Sequence, residues 1–282
     1  MKHRLYNDVL NLVTHDTRGL HLIGTSGCGK STLLRQVAEE LNLSFYFINC
    51  TRQLSEGKLL GYNSVTSLEY STTLFRKAVE EGGMFVFEEI NAIDPNTLLV
   101  INSLDNGEMA FPDKIVKVHK DFRLCATSNP NDDMYASRDT LDFASKNRFT
   151  ERWVDKDEDL ALHLSDSTSK QDVEWLRKAL IEQGYTKQLL TMRDEISLFN
   201  LRKLNLSQDP LLGLIREPTP ELLATITRKW EYELEKKEAK RKEEERKEQE
   251  RLAKLKAEED FKNMNIHDVD NFDDFYRKLE EI

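Results

Sequence analysis

An α/β fold built on a parallel sheet is predicted by three observations. The apolar run Gly19 to Ile23 leads directly into Gly24, Thr25, Ser26, Gly27, Cys28, Gly29, Lys30 and Ser31, which together read G-x-x-x-x-G-K-S. Thr32 to Leu41 follow with helical spacing, so the stretch has a strand before it and a helix after it. Further apolar, β-rich runs at 43–50, 84–87 and 122–127 recur with helical segments between them.

The eight-residue stretch reads as a phosphate-binding loop. Its glycines let backbone N–H groups turn inward around a polyphosphate, where a side chain would clash or forbid the dihedrals. In that reading Gly24 to Thr32 contact a nucleotide, Lys30 reaches the β and γ phosphates, and Ser31 holds Mg²⁺.

At 282 residues the chain has room for one large domain or two small ones. Its net charge of −10 argues against a surface that coats nucleic acid, although a local basic channel is compatible with it. No run is apolar enough to span a bilayer and no leader pattern opens the chain, so a cytosolic protein is expected. Cys28, Cys50 and Cys125 lie far apart without metal-ligand spacing and are expected to be reduced thiols.

Ahead of the first strand, Tyr6 to Val13 reads as a short helix and His15 to Gly19 as a turn. Leu43 to Cys50 reads as a second core strand. Thr51 to Ser71 then loses periodicity and exposes Tyr62, Leu68 and Tyr70; a working loop and an ordinary connection are both open there.

A helix over 72–81 passes through Gly82 and Gly83 into the apolar strand Met84 to Phe87, which ends in Glu88 and Glu89. Two carboxylates at the end of such a strand are usually only its solvated tip. Downstream of a phosphate loop they acquire roles: Glu88 as the water-mediated Mg²⁺ partner and Glu89 as the group that polarises the attacking water. Asp94 and Pro95 signal a helix start, and Asp105 to Gly107 end that helix. Glu108 to His119 alternate around Phe111, Pro112 and Asp113, which predicts a β-hairpin projecting from the core. The strand Phe122 to Thr127 delivers Ser128, Asn129 and Pro130 to the ligand end of the sheet, where Asn129 either holds the water that Glu89 activates or is simply a turn residue. Thr150 to Val154 reads as the last core strand.

Taken together, the loop, residues 85–91 (F-V-F-E-E-I-N), residues 126–130 (A-T-S-N-P) and residues 147–149 (N-R-F) resemble AAA+ ATPases of the dynein-related MoxR and CobS/CbbQ type. The resemblance covers nearly all of residues 19–154 and implies a P-loop NTPase αβα sandwich with a five-stranded parallel sheet, a helical lid, and ATP and Mg²⁺ as cofactors. It makes Gly24 to Ser31 Walker A, Glu88 and Glu89 the end of Walker B, Asn129 sensor 1, and Arg148 an arginine finger reaching a neighbour's γ-phosphate. An arginine supplied in trans implies a self-assembled ring, a hexamer by the family pattern. The family has Asp before Glu at the end of Walker B, whereas this chain has Glu88; the longer arm alters the geometry of metal contact and leaves slow or weakly coupled hydrolysis open.

Residues 1–154 are thereby expected to form the nucleotide-binding core and 155–228 a helical lid. Within the lid, Val173 to Ile181 is amphipathic and Thr191 to Asp194 resembles sensor 2, so that Arg193 touches the nucleotide; the alternative is a helix-start arginine paired with Asp194 or Glu195.

From about Glu221 the composition changes sharply, and Trp230 to Arg251 is almost all charged. Glu233/Lys237, Glu238/Lys242 and Glu243/Lys247 stand in the favoured i,i+4 order, each contributing about 0.2–0.5 kcal/mol to a helix. No apolar seam persists between Leu234 and Leu252, so residues 229–258 read as a solvated helical spacer rather than a coiled coil. In the acidic tail 259–282, Phe272, Phe275, Tyr276, Leu279 and Ile282 form one amphipathic face, for which docking on a partner and self-packing are both open.

The expected function is an oligomeric ATPase that couples ATP binding and hydrolysis to remodelling or loading of a client protein. The resemblance suggests a client with a von Willebrand factor A-type domain, gripped by the hairpin at 108–119 and the loop at 56–70. Two alternatives stand beside it: a nucleic-acid motor of McrB-like type, and a nucleotide-gated scaffold with little turnover.

Overall fold

The computed structural model describes every residue except 17, 64–68, 131–145, 186–189, 205, 208, 217 and 264–282. It divides into two compact units, Met1–Leu214 and Ile215–Ile282.

In the first unit the chain runs through α1 (Tyr6–His15), β1 (Gly19–Ile23), α2 (Lys30–Glu40), β2 (Phe45–Asn49) and α3 (Glu56–Leu60). The short strands β3 (Tyr62–Asn63) and β4 (Tyr70–Ser71) pair antiparallel, and α4 (Leu74–Glu81) leads into β5 (Gly83–Glu88). After α5 (Pro95–Leu98) come the hairpin strands β6 (Glu108–Ala110) and β7 (Ile115–Lys117), then β8 (Phe122–Ser128) and β9 (Phe149–Trp153). Three more helices follow: α6 (Glu158–Leu164), α7 (Ser167–Glu182) and α8 (Met192–Arg202).

Among the described residues five strands form one parallel sheet in the order β2-β5-β8-β1-β9. Its two faces are sorted by the period-two alternation of the strands. Met84 and Val86 of β5, Leu20 and Leu22 of β1, and Cys125 of β8 pack with Val9 and Val13 of α1 and Leu33, Leu34 and Val37 of α2. Phe85, Phe87 and Ala126 face the other way, toward Leu59 of α3, Phe75 and Val79 of α4, and Met109 and Val116 of the hairpin. Helices on both faces of a parallel sheet make this an αβα sandwich. β1 and β5 are almost wholly buried because both of their sides are covered.

Several local expectations are corrected. The strand over 43–50 is an edge strand: β2 pairs only with β5 in the sheet order, and Phe47 is 45% exposed. β9 closes the opposite edge. The helix expected over 94–104 is α-helical only from Pro95 to Leu98, after which Leu99–Asn106 tightens to a 3-10 helix ended by Gly107 in the left-handed region. The hairpin does not simply project. Met109, Phe111 and Val116 are buried, and Arg76 of α4 bonds Glu80 (3.0 Å) and Asp113 while lying over the rings of Tyr70 and Phe111. Tyr70 is therefore half-buried, whereas Tyr62 and Ile115 remain exposed. The expectation for Leu68 lies outside the described residues.

In the second unit α9 (Pro220–Asn263) is one continuous helix of 44 residues, with no break where the sequence reading ends the lid. Glu238–Lys242 (3.0 Å) and Glu243–Lys247 (2.7 Å) form as i,i+4 pairs, joined by Arg241–Glu245 and Arg246–Glu250. Lys237 lies over the ring of Trp230. The ions of those four pairs are strongly exposed, so each pair contributes little alone and this part of the helix depends on their number. The tail pattern at 272–282 lies outside the described residues.

One aromatic side chain joins α4, the sheet and the hairpin. The ring of Phe75, 1% exposed, meets Phe85 edge-on at 4.9 Å and lies 6.3 Å from each of Phe87, Phe111 and Phe122. Phe75→Ala is expected to destabilise the first unit by about 3–5 kcal/mol, read as a lowered midpoint in urea unfolding of the whole chain.

Candidate functional site

Because the strands are parallel, β1, β5 and β8 all end at one edge of the sheet. There β1 passes into the loop Gly24 to Gly29, β5 ends in Glu88 with Glu89 beyond it, and β8 leads to Asn129. The loop is tied down at its first residue. Gly24 N donates to Ser128 O (3.2 Å), and a Cβ on Gly24 would stand 2.1 Å from Val154 O, so only glycine fits. Gly27 and Gly29 take φ of 76° and 100°, which turns the chain into α2.

Lys30 folds back into this loop. Its Nζ donates to Gly24 O (2.7 Å), Thr25 O (2.9 Å) and Asn129 Oδ1 (3.1 Å). Burial lowers its pKa, against the opposing pull of Cys28, Glu88 and Glu89. A cation held among acceptors at a helix N-terminus, with inward-turned backbone around it, is a built receptor for an anion.

Glu88 continues the alternation of Met84 and Val86 and so faces the α2 side, where Ser31 stands. Glu89 leaves the strand with φ 57°, a conformation that non-glycine residues seldom adopt. One side chain secures both. The Thr127 hydroxyl donates to Glu88 Oε2 and accepts from Glu89 N (3.2 Å). Behind Asn129, Asn91 Nδ2 donates to the Asn129 carbonyl (3.4 Å).

The lid residue Arg193 belongs to the same place. It lies at the start of α8 and lines, with Ser26, Gly27, Gly29, Lys30, Ser31, Thr32, Glu88, Glu89 and Asn129, one cavity of about 370 Å³. Thr191 abuts Gly27, where a Cβ would meet its Oγ1 at 2.8 Å. The acids next to Arg193 have their own partners. Asp194 accepts from Thr191 N (2.6 Å) and Thr191 Oγ1, and Glu195 accepts from Lys156 (2.7 Å).

Not every residue of the loop reaches the cavity wall. Gly24 and Thr25 contribute carbonyls to Lys30, and Cys28 turns its thiol into the core at 2% exposure, where burial raises its pKa. Cys50 and Cys125 are pushed up to about 12 by burial, so all three thiols are protonated. Arg148 lies elsewhere: its carbonyl accepts from Gly19 N (2.9 Å) at the start of β1, and its guanidinium is 3.3 Å from Asp105. With five residues of β1 between that point and the loop, the separation is roughly 15 Å. Arg148 lines a different cleft, together with Arg18, Arg123 and Lys120.

Thr127, His21, His3 and Asp157 are not singled out by the sequence. Thr127 becomes meaningful only through the β5–β8 register, and His3 lines the cavity from a position 152 residues away from its partner Asp155. No local pattern carries either fact.

Residues 19–149 match the model of the family described as AAA domain, dynein-related subfamily. An uncharacterized protein of Staphylococcus epidermidis is 27% identical over 192 residues, 64% of this chain and 72% of that protein. Gas vesicle ATPase GvpN1 of Halobacterium salinarum is 30% identical over 140 residues, 40% of each chain. Midasin of Dictyostelium discoideum is 27% identical over 63% of this chain, which corresponds to 3% of Midasin.

His21 supplies a test of the site's packing. Its Nε2 lies 2.8 Å from Ser128 Oγ, beside Asn129, and its ring meets Phe149 edge-on. Burial, then Lys146 and Lys30, lower its pKa to about 4, and the carboxylate of Glu151 at 3.8 Å does not offset this. Between about pH 6.5 and 4 the unfolded chain binds the proton that the folded one refuses, so stability falls as the pH drops through that window, by up to ~1.4 kcal/mol per unit. His21→Gln, which keeps an amide near Ser128 but cannot titrate, is expected to remove that part of the slope in urea melts between pH 5 and 6.5. An unaltered slope would show that His21 does not titrate in this way.

Proposed function

We propose, from the match of residues 19–149 to the AAA domain of the dynein-related subfamily, that the protein is an ATPase in which ATP binding and hydrolysis within a ring of identical subunits drive remodelling or loading of a client protein. The observation that carries this reading is the division of the site. Lys30, Ser31, Glu88, Glu89, Asn129 and Arg193 converge on one cavity, while Arg148 stands at the far end of the sheet, away from it, which supports a role at another subunit's site.

In this reading the loop N–H groups and Lys30 hold the phosphates, and Arg193 contacts them from the lid. Ser31 and, through water, Glu88 are the groups that would hold Mg²⁺, which neutralises charge building up on the β and γ phosphate oxygens. The residues fit that role, since hydroxyl and carboxylate line the same two cavities. Glu89 takes the proton of the attacking water, and Asn129 orients it. The Glu88 arm, one methylene longer than the aspartate expected by resemblance, is oriented by the Thr127 hydroxyl, which supports an active rather than a purely scaffolding site.

Client binding is assigned to the exposed edge of the two ribbons, where Tyr62 and Ile115 are solvent-facing and Asn63 Nδ2 donates to Pro112 O (3.1 Å). A von Willebrand factor A-type domain in the client and an arm formed by α9 and the tail complete the proposal. Among the described residues no helix is long and apolar enough to cross a membrane, and the proposal places the protein in the cytosol.

Steady-state phosphate release tests the enzyme reading. Glu89→Gln is expected to lower kcat by about 10²–10⁴-fold with ATP affinity retained; turnover equal to the parent's would falsify it. Mixing inactive Glu89→Gln with inactive Arg148→Ala protein tests the ring, because a Glu89→Gln neighbour supplies the arginine that the other subunit lacks. Partial recovery of activity is expected, and none is expected if Arg148 acts within its own chain. Thr127→Val is expected to cut kcat at least about tenfold with little change in ATP affinity, and Thr127→Ser to restore it.

A further inference from the structure

Residues 1–5 precede α1 and lie beside the phosphate loop, and one buried carboxylate holds them there. Asp157, 4% exposed, uses its two oxygens for different tasks. Oδ1 accepts from Leu160 N (3.1 Å) and caps the first lid helix, α6. Oδ2 accepts from Arg4 N (2.6 Å), 153 residues away in sequence. Burial by itself would raise this carboxyl, but the Leu160 and Arg4 N–H groups, with His3 and Arg4 nearby, hold it below its ordinary value.

A cap needs only one acceptor, and serine or asparagine would provide it. The second acceptor therefore serves the chain segment it grips. That segment is ordered beyond Arg4. Leu5 N donates to His3 Nδ1 (3.1 Å), which leaves the protonated Nε2 to donate to Asp155 O (3.3 Å). His3 is 3% exposed, and its Cδ2 lies 3.9 Å from where a Cβ on Gly29 would be.

The cavity wall at this end is unlike the opposite end. Lys30, Ser31, Glu88 and Asn129 are polar or charged, whereas His3, Leu160, Leu164, Met192 and Ile196 present ring and hydrocarbon surface. A ligand with phosphates at one end and a flat heterocycle at the other matches this polarity.

We propose that Asp157 is a positioning residue, latching the N-terminal strap to the first lid helix so that strap and lid form a single nucleobase-side wall, and that the heterocycle of a bound nucleoside triphosphate is clasped by it. The latch rests on the nucleotide reading for its ligand, but its hydrogen bond can be measured without one. When Arg4 is released from Asp157, His3 loses its anchor on the C-terminal side, and the base must then order the strap as it binds. Phosphates, held by the loop and by Arg193 of α8 and not by the strap or α6, are indifferent to this.

The test uses the full chain carrying Asp157→Asn, whose Oδ1 still caps α6 while its NH₂ faces the Arg4 N–H. Calorimetry with two probes, ATP and inorganic tripolyphosphate, reads the wall. ATP affinity is expected to fall on the order of tenfold, the size of one charge-assisted hydrogen bond, with tripolyphosphate affinity changed less than about twofold. Unchanged ATP affinity, or an equal loss for both probes, overturns the proposal. Amide exchange without ligand reads the latch itself: Arg4 is expected to exchange faster in the variant while Leu160 stays protected, and equal protection of Arg4 in both proteins overturns it. Asp157→Ser, which also keeps a cap acceptor, is measured in parallel should the asparagine variant fold poorly. A parent protein that binds neither probe would sink the nucleotide reading, and the exchange comparison would still decide the latch.

Discussion

The close passage of Gly24 beneath Val154 is the constraint from which the site is built. Val154 N donates to Ile23 O (2.7 Å), Gly24 N donates to Ser128 O (3.2 Å), and no side chain fits between Gly24 and the Val154 carbonyl. One residue thus ties the ends of β1, β8 and β9 together at the point where the phosphate loop begins. Lys30 can reach Asn129 only because the loop and the end of β8 are joined there. The lid follows immediately, since Asp155 is the next residue after Val154. Displacing this joint would move the loop, the asparagine and the root of the lid at once.

Around that joint, Lys30 and Glu88 are each held by defined hydrogen-bond partners. Lys30 is surrounded by carbonyls and faces Glu88 and Glu89, while Thr127 links those two glutamates through a single hydroxyl. Hydrogen bonds to charged groups in a partly enclosed site hold geometry more firmly than the same bonds in water. Preorganisation of this kind suits phosphoryl transfer, in which the protein mainly positions groups and neutralises charge. The left-handed conformation of Glu89 is kept in place by its N–H bond to Thr127, so the strained residue and the residue proposed to activate water are the same one.

The two units are stabilised by different physics. In the first, α4, the sheet and the hairpin share a buried phenylalanine cluster, and Arg76 clamps the hairpin turn through Asp113. In α9 Leu222, Ile226 and Trp230 bury an apolar face over the first turns, but from Glu231 on the described surface is mostly charged, and helicity there rests on propensity and on repeated i,i+4 pairs. Such a helix resists collapse onto itself because it offers little apolar surface, which fits a spacer better than a coiled coil.

The sequence by itself determined the phosphate loop, the order of strands and helices around it, the Glu88–Glu89 pair and the charged C-terminal helix. These are local: glycine freedom, hydrophobic period and i,i+4 charge order act over a few residues, so a few residues reveal them. It could not show that β2 lies at an edge, because Phe45 to Asn49 is as rich in β-formers as a buried strand. Nor could it show that the hairpin packs inward, since alternation predicts two strands but not what covers them. Only the tertiary structure decided that Thr127 stands beside Glu88, that Arg148 lies a sheet's length from the loop, and that Asp157 joins the N-terminal strap to the lid. Each of these depends on strand register or on contacts across more than a hundred residues for the last, and separations of that kind are set by how the layers pack rather than by any pattern along the chain.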